Sequence, residues 1–431
     1  MLLQSPDIKF SPSAFVDFRR MNYLKYFFIL PILLCAVSLF TGCKSDDSDG
    51  GDKEIVVDVL ERGDTASRTV LVYMMAENNL SYFAGLDLDE MNRSVLDIPD
   101  SCYFLAFVDA LSNPYVCRFY RNGKGVAQCD TVYSFDEDFN SADTLHFNRV
   151  LDWVATEYPS KSFGLVMWSH GSGWTRKLGS TRSIGADNCL NSEYATPYKS
   201  MEVEELAAAL EKVPVKLDYI MFDACFMQSV ETTYALRSSA EWLIGSSAEL
   251  PANGAPYNRI MGNLCSIPFD PQALLDNYSK GYSTYLGVLL SAVKSSEMDE
   301  LADATATFVP AYLASDTVGN FSGLFSYLPG GYFSRSDAYP EYFDMNAVMS
   351  AKLPADAYSA WKVALDKAVP YKVASTKWLS GIKQCNFTTD TSAYCGLSMF
   401  IPRESSKYDI LNSDFRTTAW YSAAGWKSAG K

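Results

Sequence analysis

Residues 163–171 read FGLVMWSHG, and residues 217–225 read LDYIMFDAC. Each segment is a short, almost continuously apolar run followed by a turn that carries a reactive side chain, His170 in the first and Cys225 in the second. Apolar runs of this length are typical of strands that are buried on both faces of a parallel sheet. The two segments therefore predict neighbouring strands of an α/β fold with a His and a Cys just past their ends.

Three more apolar runs predict strands, and helical patterns separate them. The predicted strands are Thr69–Met74, Tyr103–Asp109 and Trp242–Ser246. Apolar residues recur at helical spacing over residues 145–158, and again after Ser200, which we expect to cap a helix that runs to Val213. Strands that alternate with helices indicate βαβ units, so we interpret residues 68–262 as the core of a wound α/β domain.

The rest of the chain, residues 263–431, has a mixed pattern. Helices are predicted at Ala273–Thr284, Asp299–Leu313 and Ala355–Val369, and strands at Gly323–Leu328 and Cys395–Ile401. Periodicity does not decide whether this region extends the same sheet or folds apart from it.

The chain has two histidines, His146 and His170. In wound sheets, functional groups gather beyond the carboxyl ends of the strands, where His170 lies and His146 does not. Cys225 has the same placement, and we expect it to face the amides at a helix N-terminus, which would stabilise its thiolate. The structural alternative is a hydrogen-bonded His and a buried, inert Cys.

Five segments together resemble the clostripain family of caspase-like, clan CD cysteine peptidases. They are VYMMAENNL (72–80), WSHGSGW (168–174), DYIMFDACFM (218–227), GSSAE (245–249) and CGLS (395–398). The resemblance runs in order from about residue 68 to about residue 402. It implies a caspase-like three-layer α/β sandwich with a mostly parallel central sheet, and a C-terminal α+β region that completes or flanks the core.

The resemblance also implies a cysteine endopeptidase that works through a dyad. The Cys225 thiolate would attack the scissile carbonyl, and His170 would protonate the leaving amine. The backbone amides of Gly171 and Cys225 would be the oxyanion donors. Peptides or proteins are the expected substrates, and no cofactor or metal is expected, with calcium suggested by the resemblance alone.

Asp223 is the candidate specificity residue. The resemblance implies that it lines the pocket for the residue before the scissile bond and favours Arg or Lys there. The alternative is a turn residue that caps the following helix. The loop at residues 250–254, LPANG, contains no second acidic residue. The sequence therefore leaves open whether the enzyme prefers Arg or Lys before the scissile bond.

The N-terminal region is typical of a bacterial lipoprotein. From Met21, where we expect translation to begin, a short basic segment precedes an apolar stretch at residues 27–40, and FTGC then ends at Cys43. We interpret residues 1–43 as a signal peptide with a lipobox and Cys43 as the lipidation site. An ordinary signal peptide with an incidental Cys is the alternative. Residues 44–67 are interpreted as a flexible acidic tether, which predicts an outer-membrane lipoprotein that is periplasmic or surface-exposed.

Charge, cysteine spacing and the absence of a serine motif disfavour three other classes of protein: nucleic-acid binders, zinc proteins and serine hydrolases. The net charge of −15 disfavours nucleic acid, and the cysteines lack the CxxC spacing of zinc sites. A serine hydrolase is disfavoured because no G-x-S-x-G occurs and Ser172 shares the turn of His170. A catalytically silent lipoprotein that binds peptide or glycan remains the alternative. We expect the protein to be a monomer. If the chain is activated by self-cleavage, we expect the cut between Trp174 and Ser200, a segment that contains Arg176, Lys177 and Arg182.

Overall fold

The structure is a computed structural model, and it describes part of the chain. The described ranges are residues 59–175, 183–187, 199–282, 286–313, 323–328, 342–380, 383–386 and 391–429. The predicted signal peptide, Cys43, most of the tether and the candidate cleavage region around Arg176, Lys177 and Arg182 lie outside them. Within these ranges, no helix is both long and apolar enough to span a membrane.

A nine-stranded sheet forms the centre of the molecule, in the order β12-β10-β9-β8-β5-β1-β2-β3-β4. The five central strands, β9 to β2 in this order, are parallel, and two antiparallel strands extend each side. The nine strands are β1 (Arg68–Met75), β2 (Cys102–Asp109), β3 (Tyr115–Arg121), β4 (Ala127–Ser134), β5 (Phe163–Trp168), β8 (Leu217–Asp223), β9 (Ala240–Ser246), β10 (Leu289–Lys294) and β12 (Tyr371–Ala374).

Three two-stranded sheets lie outside the central one. They pair β6 (Ile184–Asp187) with β7 (Lys199–Met201), β11 (Phe343–Asp344) with β15 (Ser398–Met399), and β13 (Lys377–Ser380) with β14 (Lys383–Asn386). The helices are α1 (Ser81–Arg93), α2 (Thr144–Glu157), α3 (Val203–Leu210), α4 (Val230–Ala235), α5 (Tyr257–Cys265), α6 (Pro271–Gly281), α7 (Met298–Ala306), α8 (Phe308–Leu313), α9 (Met345–Lys352), α10 (Ala355–Ala368), α11 (Asp409–Phe415) and α12 (Ala419–Ala423).

Alternating side chains of the central strands enter two different hydrophobic cores. In β1, Leu71 and Tyr73 pack with residues of α2, α3, α7 and α10, whereas Val70 and Val72 pack with residues of α1, α5 and α6. Because successive residues of a strand point to opposite faces, both faces of the sheet are covered by helices. The predicted three-layer α/β fold with a mostly parallel central sheet is confirmed.

The region beyond residue 263 adds to the same sheet, because β10 and β12 belong to it. Its last part also contacts the segment that follows Cys225. Ser398 pairs with Ser229 in an isolated parallel bridge, and the Ser398 N–H donates to the carbonyl of Gln228 over 3.1 Å. The catalytic core predicted at 68–262 is therefore completed by residues from the C-terminal region.

Several predicted boundaries are wrong. Ser200 lies in β7, and α3 begins at Val203 with Glu202 as its N-cap, in a capping box with Glu205. Of the predicted strand Gly323–Leu328, only an isolated bridge between Ser326 and Phe343 is present. Of the predicted strand Cys395–Ile401, only the two residues of β15 form a strand. These stretches are apolar because they are buried, which an apolar run alone cannot distinguish from a strand.

The end of the predicted tether also differs from expectation, because residues 59–67 lie against the core. Arg118 donates through Nη2 to the carbonyl of Leu60 over 2.6 Å, and the Tyr103 hydroxyl donates to that of Asp64 over 3.0 Å. Ala66 is buried. The folded domain thus begins before β1.

Candidate active site

The register between β5 and β8 brings the two candidate catalytic residues to the same edge of the sheet. Trp168 pairs with Asp223, so His170 and Cys225 each lie two residues beyond paired positions. The Ser169 N–H donates to the Asp223 carbonyl over 3.4 Å, which continues the contact past the strand ends. The His and Cys turns are therefore neighbours, as the sequence predicted from their positions.

Two glycines of the His turn pack directly against the backbone of the Cys turn. A Cβ on Gly171 would lie 2.6 Å from the carbonyl oxygen of Cys225, and one on Gly173 would lie 2.8 Å from that of Phe226. Such distances exclude any larger residue unless the backbone moves. Gly173 also has φ +64°, which glycine adopts readily. These contacts fix the distance between the two turns.

The His170 ring makes a hydrogen bond that was not predicted from the sequence. Its Nε2 lies 2.7 Å from Oδ1 of Asn79, four residues beyond the end of β1. Because an amide oxygen only accepts, this bond places the ring proton on Nε2 and leaves Nδ1 as an acceptor. Since β1 is the neighbour of β5 in the sheet, a polar residue just past β1 was the signal that could have indicated it.

Burial lowers the pKa of His170, so the imidazole is neutral at neutral pH. The other histidine, His146, has no part in this site. It lies in α2, with its Nδ1 3.1 Å from the carbonyl oxygen of Asn140. Its ring packs on that of Phe139, with the ring centroids 4.5 Å apart. It has the role of a structural residue.

The expectation that Cys225 faces the amides at a helix N-terminus is wrong. After Cys225 the chain turns at Phe226, whose φ of +59° is left-handed, and α4 begins only at Val230 with Ser229 as its N-cap. The Cys225 sulfur instead accepts the N–H of Leu250 over 3.3 Å. Burial, and secondarily the charge of Glu249, raise the pKa of Cys225 to about 12. The resting side chain is a thiol, which requires a base to become a nucleophile.

Asp223 is almost fully buried, with 5 % of its surface exposed. Its Oδ2 accepts the N–H of Ala255 over 2.8 Å and the hydroxyl of Tyr257 over 3.2 Å. It therefore caps no helix, and that alternative is wrong. Burial raises the pKa of Asp223 to about 6. The carboxyl group is mostly ionised at neutral pH and becomes neutral below pH 6.

A cavity of about 220 Å³ opens near Asp223, and we call it the acidic pocket. Its described lining residues are Glu90, Pro251, Asn253, Gly254, Pro256, Gly281, Tyr282 and Leu286, with no Lys or Arg among them. A Cβ on Gly254 would lie 2.9 Å from Asp223 Oδ2, which places this carboxylate directly behind the pocket wall.

Helix α1 supplies two more acidic residues to this region, and neither was predicted from the sequence. Glu90 lines the acidic pocket, and the Asp87 carboxylate lies 3.0 Å from the Cβ position of Gly254. Trp168 donates through Nε1 to Asp87 over 2.7 Å. Burial, and then the charge of Asp223, raise the pKa of Asp87 to about 9, so Asp87 is neutral at pH 7. Asp87 and Glu90 are three residues apart, the spacing at which two side chains share a helix face.

Another group of carboxylates lies near the ends of β1 and β2. Glu77, Asp109 and Asp138 each offer an oxygen, and these oxygens lie within 4.8 Å of one another. We call this group the acidic cluster. The sequence predicted no metal ligands, because the three residues come from separate segments and form no motif. Burial and the neighbouring Asp187 raise the pKa of Asp109 to about 10.

The family model of the clostripain family matches residues 72–429. The chain belongs to the clostripain family. As a member it is a cysteine-type peptidase, a hydrolase with the caspase-like fold that its sheet displays. No match was found among curated protein sequences.

Solved structures of this family agree with the fold. The chain is 30 % identical to a secreted C11 cysteine protease from Bacteroides thetaiotaomicron in complex with an irreversible peptide inhibitor, with TM-score 0.71 over 84 % of this chain and 100 % of that one. It is 27 % identical to an inactive zymogen C11 protease from Parabacteroides distasonis, with TM-score 0.71 over 84 % of this chain and 99 % of that one. A second B. thetaiotaomicron protease, iotapain, is 22 % identical with TM-score 0.69, and this likeness concerns the fold.

The raised pKa of Cys225 predicts how this family member reacts with iodoacetamide. Alkylation of Cys225 should accelerate about tenfold per pH unit from pH 6 to 9 without a plateau, because the thiolate fraction grows by that factor below the pKa. Peptide mapping by mass spectrometry measures the rate at Cys225, with the exposed Cys129 as internal reference. A plateau with a midpoint below pH 7 would instead indicate a preformed thiolate–imidazolium pair.

Proposed function

We propose that this clostripain-family peptidase is an endopeptidase that cleaves through a Cys225–His170 dyad. The supporting observation is the pairing of β5 with β8, which brings both turns to the same edge. The neutral His170 takes the thiol proton on Nδ1, and the thiolate attacks the scissile carbonyl. The imidazolium then protonates the leaving amine, and water hydrolyses the acyl-enzyme. Asn79 is a positioning residue for the imidazole.

The amides of Gly171 and Cys225 are the proposed oxyanion donors. Among the described residues, no backbone carbonyl accepts a hydrogen bond from either N–H. The close packing of Gly171 on Cys225 holds the two turns together. Donors held in place in this way stabilise the tetrahedral intermediate without reorganisation.

Replacement of either member of the dyad should remove activity without loss of the fold. Cys225→Ala and His170→Ala should each lower the hydrolysis of fluorogenic peptide amides by at least about a thousandfold. His146→Ala and Cys129→Ala are matched controls that should retain activity. Circular dichroism checks folding. Full activity in Cys225→Ala would refute the mechanism, and an inactive wild type would favour the silent binding lipoprotein.

We further propose that the acidic pocket accepts the residue before the scissile bond and prefers Arg or Lys. A cationic side chain there would meet Glu90 at the wall and Asp223 behind Gly254. Charge-assisted contacts of this kind contribute about 1.5–3 kcal/mol, or roughly ten- to a hundredfold in discrimination. Glu90 supplies the second acid that the loop at residues 250–254 lacks.

Removal of the pocket charges should reduce a basic preference. In a positional library of peptide amides, Glu90→Gln and Asp223→Asn should each lower kcat/KM for Arg and Lys about tenfold relative to Leu and Ala. The preference should weaken between pH 7.5 and 5, because the raised pKa of Asp223 lets this group become neutral near pH 6. Asp89→Asn, an exposed acid on α1, is the control. A wild type that prefers Leu to Arg would leave Asp223 as a structural acceptor for Ala255 and Tyr257.

We also propose that the mature protein is a monomeric outer-membrane lipoprotein that begins at Cys43. The FTGC sequence and the polar stretch after it support this location. The acyl chains would be its membrane contact, and the residues between Cys43 and the first described residue, Val59, would join them to the folded domain. The B. thetaiotaomicron protease that is 30 % identical to this chain is a secreted protein.

Lipidation has a direct test in the host cell. The native protein should partition into detergent with an N-terminal Cys43 that carries acyl chains, and Cys43→Ser should move it to the aqueous phase. Intact-mass and peptide analysis identify the N-terminus. An unmodified N-terminus at any other residue would contradict the lipoprotein assignment.

A further inference from the structure

We propose that Cys102 and Cys265 form a disulfide bond in the mature protein, which joins β2 covalently to α5. Cys102 is the first residue of β2, and Cys265 is the last residue of α5. The two cysteines are 163 positions apart in the sequence, so only the fold brings them together. The pair is therefore a site of covalent modification that no local motif indicates.

The two side chains meet in the hydrophobic core between the central sheet and α5. The Cys102 sulfur lies 3.6 Å from the carbonyl oxygen of Cys265. A hydrogen bond between the two thiols lowers the pKa of Cys102 to about 7 and raises that of Cys265. A disulfide requires two Cα atoms within about 7 Å of each other and side chains that point toward each other. Contact with both the thiol and the backbone of Cys265 puts the Cys102 sulfur within reach of such a bond.

A buried cation lies beside the pair. The Arg68 side chain is fully buried, donates to the carbonyl of Leu264 over 3.4 Å and forms an ion pair with Asp218. Its positive charge also lowers the pKa of both thiols, in addition to the hydrogen bond between them. A cation near a thiol favours the thiolate, which is the form that attacks a disulfide. Cys102, whose pKa is lowered overall, is therefore the attacking thiol, and Cys265 is the one that completes the bond.

The bond forms by two thiol–disulfide exchanges with an oxidant that is itself a disulfide. The Cys102 thiolate attacks one sulfur of this oxidant, which gives a mixed disulfide and releases the first oxidant thiolate. The Cys265 thiol then loses its proton and attacks the Cys102 sulfur, which displaces the second oxidant thiolate. Two protein thiols are oxidised to one disulfide, the oxidant disulfide is reduced to two thiols, and these thiols take up the two protons.

The source of the oxidant rests on the proposed export of the chain. Disulfides form in exported proteins, where thiol–disulfide oxidoreductases of the cell envelope supply the oxidising disulfide, and they are rare in the cytosol. Cys102 and Cys265 are both buried in the folded domain. The exchange therefore takes place while the domain folds, and the finished bond is then shielded from reductants.

The bond would fix the far end of a helix that contributes to the acidic pocket. Helix α5 begins at Tyr257, whose hydroxyl donates to Asp223, and the preceding residue, Pro256, lines the pocket. Cys265 lies at the other end of this helix. A covalent link from there to β2 would hold the whole helix against the sheet.

Refolding in vitro tests the bond without dependence on export or on catalysis. The protein with Cys225→Ala as background is unfolded, reduced and refolded in a mixture of oxidised and reduced glutathione. It is then denatured, alkylated with iodoacetamide without reductant, and digested for mass spectrometry. Cys102 and Cys265 should be recovered as one cross-linked pair of peptides. Cys395, another buried cysteine, is the internal control and should be alkylated.

Thermal unfolding measures the effect of the bond on stability. The oxidised protein should have a Tm about 5 °C above that of the same protein refolded in a reductant, because closure of so long a loop restricts the unfolded chain. Cys102→Ser and Cys265→Ser should each abolish this difference, and the second variant keeps the test valid if the first does not fold.

Protein isolated from the cell envelope of the host should contain the same cross-linked peptides. Recovery of Cys102 and Cys265 as two separately alkylated peptides, after refolding in glutathione or from the envelope, would overturn the proposal. Partition into detergent reports on export separately, so a failure of the lipoprotein assignment would not be mistaken for a failure of the disulfide.

Discussion

The contact between the His and Cys turns is the constraint on which the active site depends. Strands β5 and β8 are hydrogen-bonded up to Trp168 and Asp223, and the glycines at 171 and 173 then let the two turns touch backbone to backbone. A larger residue at Gly171 would occupy the space of the Cys225 carbonyl. The two turns are therefore positioned by the parallel sheet and by the absence of two side chains.

The electrostatics around this contact favour uncharged side chains for the two proposed catalytic residues. Burial raises the pKa of Cys225 and lowers that of His170, so a thiol and a neutral imidazole are the ground state. Acids surround the nucleophile, with Glu249 beside it and Asp223 two residues before it. Negative neighbours disfavour a thiolate until a positive charge is near. A cationic substrate residue in the acidic pocket would thus assist formation of the nucleophile as well as its own binding.

Much of the core could be predicted from sequence because its strands are buried on both faces. The five predicted parallel strands occur within one or two residues of their predicted bounds, and His170 and Cys225 follow two of them. The functional groups that were missed come from elsewhere in the chain. Glu90 reaches the pocket from α1, and Asn79 reaches His170 from the loop after β1. Their roles depend on which strands are neighbours, and periodicity does not contain that information.

The same limit explains why Cys225 does not face a helix N-terminus. A turn between a strand and a helix was expected there, yet Phe226 adopts a left-handed conformation and α4 begins only at Val230. The Phe226 ring stacks on that of Tyr342, with centroids 4.5 Å apart, and its N–H donates to Ala248. The local sequence held no signal for these contacts with residues from other segments of the chain.

The contact of Ser398 with the segment after Cys225 has a consequence for biogenesis. A chain synthesised from its N-terminus contains the His and Cys segments well before residue 398 is added. Until that residue follows, the bridge to Ser229 and the hydrogen bond to Gln228 cannot form. The segment after Cys225 therefore gains these contacts only when nearly all of the chain has been synthesised.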